Sequence, residues 1–156
     1  MPRRRPGALR AQHHGPRIWE DPPPSRIHGL SAFTSLAIHR VERLSGDYYV
    51  FPGATVLALR RYEGFLQPSG RRPLYPQDAH CSCRGCSFDD VRHARDVLEE
   101  VLQQLPFRSR AELKRQVASL DAVYLERTLP DPFADRRQWR ADLWWRRRLT
   151  VGGEAM

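Results

Sequence analysis

Apolar and polar positions recur with a helical period through most of the second half of the chain. Val91, Ala94, Leu98, Val101, Leu102 and Leu105 fall on one stripe, and Leu113, Val117, Leu120 and Tyr124 recur at intervals of four, three and four residues. The spacing predicts helices over about 88–105 and 110–128, separated by Pro106. Ser87 suits the first N-cap, with Asp89 and Asp90 in a first turn where the helix dipole favours carboxylates. Ser109 and Glu112 have the spacing of a capping box for the second helix. Arg95 and Glu99, at i,i+4, are expected as a pair on the wet side. A third helix is predicted over about 135–148, with Trp139 and Leu143 on one side. The expectation is a mainly α fold: a helical hairpin or three-helix domain over 79–149, entered through a Cys-rich loop. Two helices leave one flank of their seam open. The third helix, an N-terminal helix or a second copy in a homodimer should cover it.

The first half is less regular. Residues 1–31, with the run Pro22-Pro23-Pro24, show no sustained period and read as a disordered Pro/Arg-rich tail. Residues 32–66 read as weakly structured. Phe33, Leu36, Ala37, Val41 and Leu44 form an apolar stripe behind a Ser31 cap, which predicts a short helix. Residues 48–51 and 55–59 resemble two strands of a β-hairpin around Pro52-Gly53. Residues 67–78, with Pro68, Gly70, Pro73 and Pro76, read as a linker, and 150–156 as a disordered end.

Composition changes this picture mainly through charge. The chain has 156 residues and a formal net charge of +8, from 26 basic and 18 acidic residues. Lys114 is the only lysine, so the basic residues are almost all arginine. Such a charge favours acidic partners: nucleic acid, an anionic membrane or an acidic protein. The charge is unevenly distributed. Residues 79–134 hold 8 basic and 9 acidic side chains, so the excess lies in the flanks. No apolar run reaches the ~20 residues of a membrane span. Arg3, Arg4 and Arg5 open the chain, but no apolar stretch of a secretory leader follows them, so the cytoplasm is the expected location.

The candidate chemistry begins with Cys81, Cys83 and Cys86, the chain's three cysteines. An odd, tight cluster does not resemble a secreted disulfide framework. Cys83-x-x-Cys86 has zinc-knuckle spacing with Gly85 at the turn, and Cys81 projects to the same side as Cys83 in extended chain. A tetrahedral zinc site would take its fourth ligand from His93 or, in its place, from His80. A redox dithiol at a helix N-terminus, or ordinary free cysteines, are the other readings of the same residues. At the other end, Trp144 and Trp145 sit among Arg136, Arg137, Arg140, Arg146, Arg147 and Arg148. Aromatics that stack on bases and guanidinium groups that meet phosphates make this a candidate nucleic-acid contact; closure of the hairpin core is the alternative. Nucleophile-elbow, His-Glu-x-x-His and phosphate-loop motifs do not occur, so nothing in the sequence points to an enzyme. The expected role is a non-catalytic accessory, either zinc-stapled and nucleic-acid-associated or a protein-interaction hairpin.

The Cys-x-Cys-x-x-Cys segment, the run from Asp89 to Ala94, the Thr128-Leu129-Pro130-Asp131-Pro132 stretch and Trp144-Trp145 together resemble a group of short actinobacterial proteins with no assigned activity. The resemblance covers under half the chain. It implies a bacterial cytoplasmic protein and carries over no site residue.

Overall fold

A computed structural model describes residues 24–67, 72–77, 90–137 and 140–151. Among these, 62% are helical and there is no strand. Four helices follow one another: α1 (Ala32–Leu44), α2 (Ala54–Leu66), α3 (Val91–Gln104) and α4 (Phe107–Arg127). Two short 3-10 turns, Ala134–Arg136 and Trp144–Arg147, come after α4.

The predicted α3–α4 hairpin is present, with Leu98, Val101, Leu105, Leu113, Val117 and Tyr124 all but fully buried. Its caps differ from the expected ones. Asp90, rather than Ser87, caps α3 and accepts from the Arg92 backbone N–H at 2.9 Å; Ser87 lies outside the described residues. Helix α4 begins at Phe107 behind Pro106, whose locked φ suits a helix start. Ser109 and Glu112 therefore fall inside the helix and form no capping box. Glu112 instead reaches α1, accepting from the Ser31 N–H at 2.6 Å, from the Ser31 hydroxyl at 2.8 Å and from the Thr34 hydroxyl.

The hairpin's flank is covered from within the chain. Helix α1 packs on α3 and α4, and α2 packs on both as well. The predicted β-hairpin is not formed. Residues 48–50 make a turn, and the would-be second strand is the first part of α2. The strand reading used five residues of a longer pattern in which Thr55, Leu59, Tyr62 and Leu66 recur at helical spacing, and all four are buried. Gly53, at φ 89°, takes the left-handed conformation in front of α2. The buried Glu42 carboxylate of α1 then accepts from the Gly53 and Thr55 N–H groups, each at 2.8 Å. Both N-terminal helices are thus held by a carboxylate from a preceding or distant helix, which welds the region predicted as weakly structured to the hairpin.

Part of the predicted tail belongs to the core, because Ile27 and Leu30 are buried at 4% and 1% exposure. The predicted third helix is replaced by the two 3-10 turns and extended chain. The Asp131 N–H donates to the Arg147 carbonyl at 3.0 Å and the Leu149 N–H to the Leu129 carbonyl at 2.9 Å. In this folded-back segment Trp145 enters the core. The predicted linker also meets the segment after the second 3-10 turn: the Val151 N–H donates to the Pro76 carbonyl at 2.8 Å.

Candidate functional site

The Trp/Arg segment is built into the domain. Trp145 is 2% exposed, and its indole N–H donates to Asp96 of α3 at 2.7 Å. Arg146 joins the same carboxylate, with Nε at 3.0 Å and Nη2 also bonded. The Arg95 guanidinium lies 4.2 Å from the Trp145 ring centroid, a cation–π contact in a desolvated setting. Arg95 is buried rather than on the wet side. It bonds Glu99, as its spacing predicts, and also Asp121 of α4, which accepts from the Tyr62 hydroxyl at 2.8 Å. Burial, reinforced by the Asp121 charge, pushes the Tyr62 phenol well above its usual range, so it stays a neutral donor. Trp144 is half-buried with its ring centroid 6.0 Å from that of Tyr124.

The remaining arginines of the predicted nucleic-acid face have acceptors or ring partners of their own. Arg137 pairs with Asp131 at 2.9 Å, Arg140 with Asp142 at 2.7 Å and Arg147 with Asp135. Arg148 donates to the Thr128 hydroxyl at 2.8 Å and to the Leu125 and Thr128 carbonyls. Burial draws its pKa below the usual arginine range. Arg136 lies 5.2 Å from the Phe133 ring centroid. The segment works as a clasp across α3 and α4; Trp145 has no face to offer a base, and Arg136, Arg137 and Arg140 are its exposed cations among the described residues. Trp139 lies outside the described residues.

Of the predicted zinc ligands, His80, Cys81, Cys83 and Cys86 lie outside the described residues. His93 sits in the first turn of α3, 7% exposed, with its ring edge-on to Tyr49 at 4.5 Å. Burial lowers its pKa, with the Asp96 charge pulling the other way, so the neutral imidazole is favoured. Ala54, Leu57, Ala58 and Val97 complete a largely apolar surround. Among the described residues, no three His, Cys, Asp or Glu side chains gather to hold a metal ion.

A surface that was not among the predicted sites lies on α1. Its buried residues are Thr34, Ser35, Ile38 and Glu42, whereas Phe33, Leu36 and Leu44 are 58%, 51% and 86% exposed. The apolar stripe that predicted the helix is turned largely outward, with only Ala37 and Val41 of its members resting against the core. Two polar anchors explain the rotation. Glu112 holds Ser31 and Thr34, and Glu42 must point inward to cap α2. Phe33, Leu36, Ala37, Arg40, Val41 and Leu44 then line a groove of about 410 Å³, closed by Gln104 and Pro106 of the α3–α4 turn. The signal in the sequence was the helix's second stripe, where Thr34 meets Glu112 and Glu42 meets Gly53 and Thr55, partners that local spacing does not show. No helix among the described residues is long and apolar enough to cross a membrane. The chain matches no known family model, no curated protein and no solved structure.

Proposed function

We propose that this protein is a non-catalytic helical interaction module, an adaptor that docks a partner on the outer face of α1. The observation that carries this reading is the orientation of α1, which exposes Phe33, Leu36 and Leu44 while burying Thr34, Ser35 and Glu42. Each large apolar side chain left in water forgoes about 1.5–3 kcal/mol of burial, and a contiguous apolar patch of this kind marks interaction surfaces. A photo-crosslinking residue placed at Leu36 should give one discrete adduct in cells, lost when Phe33 and Leu44 are both changed to Glu. The same residue at Ala122, an exposed position on α4, should give none. Equal labelling at both positions, or none at Leu36, overturns the reading.

The nucleic-acid reading has narrower support: the net charge of +8 and the exposed Arg136 and Arg140. It would produce sequence-independent phosphate affinity that falls steeply with salt. The zinc reading rests on the spacing of Cys81, Cys83 and Cys86, with His93 or His80 as the fourth ligand; a role for His93 would require its ring to leave its packing against Tyr49. Metal analysis of anaerobically purified protein should find one zinc per chain with protected thiols; three freely reactive thiols and no metal would refute it. The odd, closely spaced set of cysteines supports a reducing compartment such as the bacterial cytoplasm.

A further inference from the structure

We infer that the α1 groove takes an amphipathic helix whose apolar stripe is flanked by carboxylates, supplied by a different, acidic protein. The inference rests on the docking reading above and names the partner's chemistry. Shape selects the helix. From Phe33 to Leu44 the exposed stripe runs ~16 Å, three turns, the length over which a helix presents i, i+3 or i+4, and i+7 anchors. The groove is open and apolar, and its polar lining is only Arg40 and Gln104, too few converging groups for a small polar ligand.

Charge selects the flanks. Arg40 lines the groove, and the Arg108 guanidinium stands 5.4 Å from the Phe33 ring centroid at one end. Among the described residues, no carboxylate lines it. Glu42, on the same helix, is turned inward under α2, whereas Glu100, bonded to the Gln104 amide at 2.8 Å, and Glu112, bonded to Ser31 and Thr34, lie outside the lining residues. The rim is cationic over an apolar floor, and its complement is an apolar stripe edged with Asp or Glu.

Two other occupants fit less well. A second copy docking α1 against α1 through a two-fold axis would bring the mid-helix Arg40 of each copy toward the other, with no carboxylate between them. The chain's own residues 1–23 carry Arg3, Arg4, Arg5, Arg10 and Arg17 against only Glu20 and Asp21, the wrong sign for this rim.

The test uses the full chain and fluorescein-labelled synthetic peptides of about 18 residues, long enough to span the stripe. One bears a leucine stripe with Glu flanks, and a second bears the same stripe with Lys flanks. Anisotropy titration should show the Glu peptide binding about tenfold or more tightly than the Lys peptide, the advantage shrinking at high salt. Leu36→Glu should abolish binding of both while leaving the thermal midpoint unchanged. Arg40→Glu with Arg108→Glu should invert the preference. Equal binding of both peptides, still lost in Leu36→Glu, would overturn the acidic-partner inference and leave the docking face standing. A concentration-dependent dimer dispersed by Leu36→Glu would do the same in favour of a second copy. Binding to phosphatidylserine vesicles, with neither peptide bound, would replace the protein partner by a membrane. No binding to any of these, together with no crosslink at Leu36, would overturn both readings.

Discussion

Helices α1 and α3 are of nearly equal length, and each treats its side chains in the opposite way to the other. Around α3, Arg92, His93 and Arg95 are all less than a tenth exposed, as is its cap Asp90. On α1, Phe33, Leu36 and Leu44 are all more than half exposed. Hydropathy alone would reverse both. The difference is the supply of partners. Helix α3 is central, packed by α1, α2, α4 and the Trp144–Arg147 turn, and each buried charge finds a counter-charge or ring: Arg92 on Asp90, Arg95 on Asp121, Glu99 and Trp145. Helix α1 is peripheral, and its inner face is chosen by two carboxylate clamps rather than by its leucines. A buried charge is tolerated when paired and hydrogen-bonded, and an apolar stripe stays wet when polar anchors orient the helix the other way.

The contrast breaks most visibly at the clasp. Trp145→Ala removes a buried indole and its bond to Asp96, and should destabilise by about 4 kcal/mol, read as a fall in the urea midpoint at unchanged m-value. An unchanged midpoint would mean that the clasp does not hold α3. Asp121→Ala strips Arg95 and Tyr62 of a shared acceptor, leaving a nearly buried guanidinium short of a counter-charge. The expected loss is about 3 kcal/mol, at the low end for broken buried pairs because Glu99 and the Trp145 ring remain. Restoration to near wild-type stability by adding Arg95→Met would show that the uncompensated charge was the cause.

A smaller effect tests the polar clamp on α1. The Thr34 hydroxyl, above all, with the Ser31 N–H and hydroxyl, holds the Glu112 carboxyl below its usual range, against a weaker upward pull from burial. Its folded pKa is depressed, so its contribution is present in full above the unfolded value of 4.5 and is lost as pH falls through the folded value. Glu112→Gln should cost about 1 kcal/mol near neutrality, the scale of a lost cap in a partly exposed setting. The gap between wild type and variant should close as acid titrates the wild-type carboxylate; a gap independent of pH would sink the clamp. Smallest of all, Leu36→Glu and Leu44→Glu should each shift stability by no more than about 0.5 kcal/mol, because neither side chain is core. A loss comparable to that of Trp145→Ala would show α1 packed the other way round and remove the docking face.

The legible parts of this fold are those whose signals are local. The Leu98–Val101–Leu105 and Leu113–Val117–Tyr124 stripes, broken at Pro106, announced α3 and α4, and Ser31 announced the start of α1, where its hydroxyl accepts from the Thr34 N–H. The misread segments failed for identifiable reasons. Thr55 to Leu59 is rich in strand-forming residues, yet the helical repeat continues through Tyr62 and Leu66, and the longer pattern prevails. Residues 135–148 have enough helix formers, but Asp131, bonded to the Phe133 N–H at 2.8 Å, turns the chain, and the burial of Trp145 overrides propensity. For the candidate site, the clustering of tryptophan and arginine was visible, and closure of the core was among its readings. The α1 face was not visible as a surface, because the stripe that marks it is the one that usually points inward.

Periodicity, caps and proline placement were therefore sufficient for the helical class, the α3–α4 hairpin and the existence of α1, since each depends on side chains within a turn or two of one another. The facing of α1, the helical state of α2 and the destination of the arginines depended on groups far apart in the chain: Glu112 with Ser31 across 81 positions, Arg146 with Asp96 across 50, Arg95 with Asp121 across 26. A stripe announces that a helix has an apolar side. Which side is covered is decided by the neighbours it meets once the chain has closed on itself.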